Sequence, residues 1–141
     1  MTPIVRVLLA LNVAAFVLQM AFPVVEYIGV FVPQLVFIRP WTLVTYMFLH
    51  GGLTHILFNM LGLVFFGSRV EDRMGSKRFT MMYFLSGISG ALLSMLLQPR
   101  ASLIGASAGV FGVMLCFAHY WPHQPIMIWG ILPVPARMLV S

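Results

Sequence analysis

Residues 101–122 read ASLIGASAGVFGVMLCFAHYWP. The helical part runs from about Ser107 to the interval between His119 and Pro122, about 13 residues with a rise of roughly 20 Å. A bilayer core is about 30 Å thick and takes about 20 helical residues to cross. If the lower end meets water at His119, Tyr120, Trp121 and His123, the upper end starts inside the membrane. Residues 101–106 must then dip inward as non-helical backbone. At that depth irregular backbone survives only where protein covers it or water reaches it, so a short or broken helix marks a site.

The rest of the chain fits a membrane setting. Of 141 residues 61% are hydrophobic, with 8 Lys or Arg and 3 Asp or Glu, so 8% are charged where about 25% is ordinary for a soluble domain. A soluble globule is excluded. The charges leave neutral stretches at 7–25, 40–68, 79–99 and 101–136, each long enough to hold a membrane helix. The net charge of +5 resides between apolar runs and forms no basic stripe with interleaved aromatics. It therefore speaks for orientation in a bilayer and against nucleic acid as a partner. The single Cys116 can form no internal disulfide.

The first apolar run, Ile4 to about Phe22, is longer than a signal-peptide core and no small-x-small cleavage site follows it. It is the expected first span. Residues 23–49 are interrupted by Pro23, Glu26, Gly29, Pro33, Arg39 and Pro40 and end near Trp41, Tyr46 and Phe48, which reads as a loop in the membrane interface. A second span is expected from Leu53 to Gly67, followed by a loop, SRVEDRMGSKRF (68–79), with its turn at Gly75-Ser76. Arg69, Arg73, Lys77 and Arg78 make this loop cytoplasmic, and the N-terminus with Arg6 lies on the same side. The third span, Phe79 to Leu97, returns to the outer side at Gln98-Pro99-Arg100. Residues 126–133, bracketed by Pro125, Pro133 and Pro135, are expected along the cytoplasmic interface, with a fifth span beginning near Ala136.

Chemistry concentrates at two places. Gly105-Ala106-Ser107-Ala108-Gly109 stands where the fourth helix begins. Free backbone N–H groups there carry the positive end of the helix dipole and suit an oxyanion. The competing reading is a small-residue packing face of Gly105, Gly109 and Gly112, with Ser107 incidental. In the second span His55 and Asn59 are four apart and share one face. Both are costly in lipid and point into the bundle, either as site residues or only as hydrogen-bond partners of neighbouring helices, while His50 lies at the outer mouth. Together a submerged serine, a histidine and an amide make an inventory for acyl transfer. Ser86, Gly90 and Ser94 read as a close-packing stripe. Glu71 and Asp72 read as solvated or paired with the adjacent arginines.

The runs FLHGGLTHILFNM (48–60), VEDRMGSKRF (70–79) and GASAGVFG (105–112) together resemble the rhomboid intramembrane serine proteases, over roughly residues 35–141. The resemblance implies an all-α, six-helix membrane bundle with a cytoplasmic N-terminus, of which four spans are expected here. It implies Ser107 as nucleophile, with His55, Asn59 and the Ser107 N–H stabilising the oxyanion. Gly105 opens the matching G-x-S motif, and Phe111 matches an aromatic that packs against the catalytic histidine. Trp41 resembles the first member of a Trp-Arg pair, but Thr42 follows it.

A serine needs a general base within about 2.6–3.2 Å. His119 and His123 lie about 18 and 24 Å of helix rise past Ser107, His55 belongs to the oxyanion side, and His50 sits about 7–8 Å above His55 if the helix extends that far. In the family the base is a histidine on a sixth helix. The expectation is therefore a single rhomboid-like transmembrane domain truncated at its C-terminus, with no general base of its own and inactive alone.

The longer protein is expected in a bacterial inner membrane. There it would cleave the transmembrane segment of a membrane-protein substrate within the lipid bilayer, without metal or other cofactor: His50 and His55 lack an acidic or Cys partner for zinc. The alternatives are a non-catalytic rhomboid-like protein that binds membrane clients, and a transporter fragment whose broken helix is its ion or substrate site.

Overall fold

The computed structural model describes residues 1–128 and 132–135. Helix α1 (Pro3–Ala21) and helix α2 (Pro23–Gly29) each open on a proline, where the missing N–H breaks no helical bond. A short α3 (Thr42–Thr45) runs into a 3₁₀ turn (Tyr46–Phe48). Helix α4 (Leu53–Gly62) continues through a π-helical turn (Leu63–Gly67) into α5 (Ser68–Met74) as one 22-residue rod. Helices α6 (Ser76–Leu97) and α7 (Ser107–Tyr120) follow. Strands β1 (Pro125–Ile128) and β2 (Leu132–Pro135) form an antiparallel hairpin that pairs Pro125 with Pro135 and Ile128 with Leu132.

Helix α1, the α4–α5 rod and α6 are each long and apolar enough to cross a bilayer. Helix α7 has 14 residues, about 21 Å of rise, and begins at Ser107 as its length required. The expected start of a fifth span near Ala136 lies outside the described residues.

Three expectations change. The segment SRVEDRM is helical, not loop: it contains no helix breaker, so the rod runs on to Met74 and the reversal is confined to Gly75, at φ +91°. Residues 23–49 are not a plain loop. They fold as short helical turns that insert Phe31, Thr42, Tyr46 and Met47 into the core. Within the proline-bracketed segment after α7, strands β1 and β2 pair antiparallel, while the bundle itself is helical, as expected. Proline cannot donate to a sheet ladder, and a two-stranded ribbon leaves each strand an unpaired edge where that costs nothing.

Glu71 is neither solvated nor paired with arginine. It is 2% exposed and accepts hydrogen bonds from the Ile4 N–H (2.9 Å), the Val5 N–H (3.1 Å) and the Ser76 hydroxyl (2.7 Å). Its carboxylate satisfies orphan donors in the first turn of α1, where the helix dipole favours negative charge. One side chain thus ties α1, α5 and α6 together at the basic end of the bundle.

Helix α7 packs against α6 through small residues. A Cβ on Gly90 would lie 2.6 Å from the Cβ of Ala108, and Gly112 faces Ser86 as closely. This is the close approach that the Ser86–Gly90 spacing predicts. It holds the start of α7 at a fixed height inside the bundle.

Candidate active site

The non-helical run before α7 is pinned to the bundle by backbone hydrogen bonds and ends on buried Gly105 and Ala106. Phe31 and Leu103 exchange backbone hydrogen bonds of 3.1 and 2.9 Å, and the Gly105 N–H donates to the Tyr46 carbonyl at 2.9 Å. The Tyr46 hydroxyl donates to the Gly87 carbonyl at 2.6 Å. Tyr46 therefore braces the Gly105 turn against α6. Gly105 has φ +119°, a conformation that a residue with a Cβ adopts only under strain.

Helix α7 then starts with no side-chain cap. The Val110 N–H donates to the Ala106 carbonyl at 2.9 Å, so the N–H groups of Ser107, Ala108 and Gly109 precede the helical ladder and lie at the positive end of its dipole.

His55 meets this turn from α4. A Cβ on Gly105 would lie 2.8 Å from both Cε1 and Nε2 of the imidazole. The opposite ring nitrogen, Nδ1, accepts the Gly51 N–H at 3.0 Å. In a neutral ring that acceptor role places the proton on Nε2, so an N–H donor faces the backbone two residues before Ser107. Asn59 is buried one turn further along α4, and its Nδ2 donates to the His55 carbonyl at 3.0 Å. An amide has two N–H donors, and one of them is thereby engaged.

His50 is not on a helical extension of α4. The chain breaks at Gly51-Gly52 and folds His50 back onto His55, with ring centroids 5.0 Å apart and edge to face. It is 1% exposed. Burial first, and the charge of His55 second, push its imidazole down from 6.5 to about 4. Gln19 of α1 clamps its backbone on both sides, Nε2 donating to the His50 carbonyl (2.7 Å) and Oε1 accepting the His50 N–H (3.0 Å).

Ser107 is exposed in a cleft of about 410 Å³ between α6 and α7, lined also by Tyr46, Gly90, Ser94, Ala108 and Phe111. Phe111, expected against a catalytic histidine, is 47% exposed on the same wall. His119 and His123 are exposed at the far end of α7, so the structure does not bring them to Ser107.

Two residues that position the site were not singled out in the sequence. Gln19 carried a readable signal, an amide inside an apolar span. Tyr46 carried none, because an aromatic near the interface is ordinary. Its bracing role depends on Gly105 and Gly87, far along the chain.

The Rhomboid domain family model matches residues 38–141. The chain is 45% identical over 74 residues to "Rhomboid-like protease 3" of Toxoplasma gondii, covering 52% of this chain and 28% of that protein. It is 41% identical over 73 residues to "RHOMBOID-like protein 2" of Arabidopsis thaliana, covering 52% and 23%. It is 34% identical over 100 residues to "Rhomboid protein 1, mitochondrial" of Saccharomyces cerevisiae, covering 67% and 29%. The chain thus spans less than a third of the length of these relatives. With its apolar helices and the family match, it is an integral membrane protein and belongs to the rhomboid family.

Proposed function

We propose that this chain forms the nucleophile-bearing part of an intramembrane serine endopeptidase that cleaves a peptide bond in or beside the transmembrane segment of another membrane protein. The observation that supports this reading best is the packing of the His55 Nε2 edge on Gly105, two residues before a serine whose helix begins with free N–H groups.

In this reading the Ser107 hydroxyl oxygen attacks the scissile carbonyl carbon, and the carbonyl electron pair moves onto oxygen. The N–H of Ser107 and the Nε2–H of His55 receive that charge, with the second N–H of Asn59 as a further donor. Collapse expels the amine and leaves an acyl-enzyme that water hydrolyses. A general base takes the serine proton and returns it to the amine. None of the four histidines suits that task, so the base comes from outside the described residues. The reaction calls for no metal or cofactor. The basic end of the bundle faces the cytoplasm, which suits a bacterial inner membrane. The matched relatives come from Toxoplasma, Arabidopsis and yeast mitochondria and do not favour that membrane over others.

The test is cleavage of a single-span reporter in membranes containing the protein expressed from its full gene. Wild type is expected to cleave and Ser107→Ala to leave the reporter intact. Equal cleavage by both would sink the nucleophile assignment. A non-catalytic, client-binding rhomboid protein predicts that neither cleaves while both still capture the reporter.

A further inference from the structure

The basic end of the bundle holds a feature that the proposed proteolysis does not use. Arg69 and Arg73, one turn apart on α5, both reach over aromatic rings at the end of α7. The Arg69 guanidinium lies 5.3 Å from the centre of Phe117 and 4.7 Å from that of Trp121, and the Arg73 guanidinium lies 5.1 Å from that of Tyr120. Stacking over ring faces fixes the guanidinium planes by cation–π attraction, and among the described residues no side chain engages their N–H edges. The two arginines, Asp72 and Trp121 line an open pocket of about 330 Å³. Its formal charge is +2 from the arginines and −1 from Asp72, hence +1. Glu71, the neighbouring carboxylate, is turned into the bundle onto α1 and does not neutralise them.

Above the pocket the same rod presents exposed Leu61 and Phe65. Together with Arg69 and Arg73, which are also exposed, they make a stripe at steps of four along the rod. One half of it is apolar and exposed; the other carries a paired cationic fork beside Tyr120 and Trp121, residue types that favour a membrane interface. That order, acyl chain above and anion receptor below, matches a phospholipid. It does not match a soluble anion, which has no use for the apolar half.

We propose that the pocket between α5 and the end of α7 binds the phosphate-bearing headgroup of an anionic phospholipid. Arg69 and Arg73 donate to the phosphate oxygens, and one acyl chain lies along Phe65 and Leu61. Bidentate guanidinium–phosphate pairing is the recognition chemistry.

The experiment is thermal unfolding of the full chain in nonionic micelles. Dioctanoyl phosphatidylglycerol, dioctanoyl phosphatidylcholine or inorganic phosphate is titrated in at constant ionic strength. Phosphatidylglycerol is expected to raise the unfolding temperature saturably, with little effect from the other two. Each basic residue near an anionic surface contributes about 1 kcal/mol, or about fivefold. Arg69→Gln/Arg73→Gln should therefore weaken the half-saturation point about thirtyfold, whereas Lys77→Gln/Arg78→Gln, which removes equal charge nearby, should leave it within about threefold.

Equal loss in both double variants would mean a diffuse field and overturn the site. So would equal stabilisation by phosphatidylcholine, which would mean acyl contact alone, or by inorganic phosphate, which would mean a soluble-anion site. If the Gln variant does not fold, Arg69→Lys/Arg73→Lys keeps the charge without the planar fork. A response equal to wild type in that variant would overturn the bidentate pocket, and a weakened one would support it.

Discussion

The imidazole of His55 rests directly on the α-carbon of Gly105, so closely that a methyl group there would stand 2.8 Å from its Cε1 and Nε2. Gly105 also holds φ +119°. Two independent demands therefore fall on one residue: a backbone conformation only glycine adopts freely, and room for an imidazole edge. Gly105→Ala is expected to destabilise the protein by about 1–3 kcal/mol, the range for backbone strain of this kind, and to displace His55. Thermal unfolding in micelles checks the first effect. Loss of reporter cleavage by the full-gene protein checks the second. An alanine variant that matches wild type in both would show that the contact does not position the site.

A second expectation concerns acid. The pKa of His50 is pushed down to about 4 from 6.5 because the fold buries it and sets it against His55; Glu26 and Gln19 line the cleft on its other side. The folded state thus prefers the neutral ring more strongly than the unfolded chain does. The unfolded chain takes up this proton first as pH falls below 6.5, so the stabilisation is complete above that pH and is lost progressively as pH drops towards 4. His50→Phe, which keeps a buried ring without a titrating group, should flatten the fall in unfolding temperature between pH 6.5 and 4. An unchanged slope would assign the acid sensitivity elsewhere.

Much of this arrangement could be read from local pattern. The run after Ser107 foretold a short helix beginning there, and α7 spans Ser107–Tyr120. The four-residue step from His55 to Asn59 placed both on one face of α4, and the small residues of α6 foretold its contact with α7. Long-range partners escaped that kind of reading. Glu71 sits in a charged segment whose local chemistry suggests solvent or arginine, yet its acceptors point to the first turn of α1, 66 and 67 residues away. His50 could be placed above His55 only by assuming a continuous helix. The break at Gly51-Gly52 folds it back into ring contact.

Because Glu71 satisfies two backbone donors of α1, its removal should loosen that helix while leaving Ser107 and His55 in place. Glu71→Ala removes the acceptor of the Ile4 and Val5 N–H groups; at about 1–3 kcal/mol for a buried unpaired donor, and less for the part-buried Ile4 N–H, the loss is roughly 2–4 kcal/mol. Amide hydrogen exchange should speed up most in the first turns of α1 and at the start of α6, where Ser76 also loses its acceptor. Exchange that rises equally in α7 would contradict a local capping role.

The oxyanion assignment makes a ranked prediction for His55 and Asn59. His55 has one ring nitrogen engaged by the Gly51 N–H and presents the other to the Gly105 turn, whereas Asn59 already donates one of its two N–H groups to the His55 carbonyl. Removing a full oxyanion donor costs about 10²–10³ in kcat. His55→Ala in the full-gene protein should therefore lose about that much kcat with a smaller change in KM, since the donor acts on charge that exists only in the transition state. Asn59→Ala should lose less, because part of its amide holds α4 and does not face substrate. The double variant should fall short of the product of the two single losses, because in this reading both side chains serve one oxyanion. A larger loss for Asn59→Ala than for His55→Ala would reverse the assignment and make the amide the principal donor.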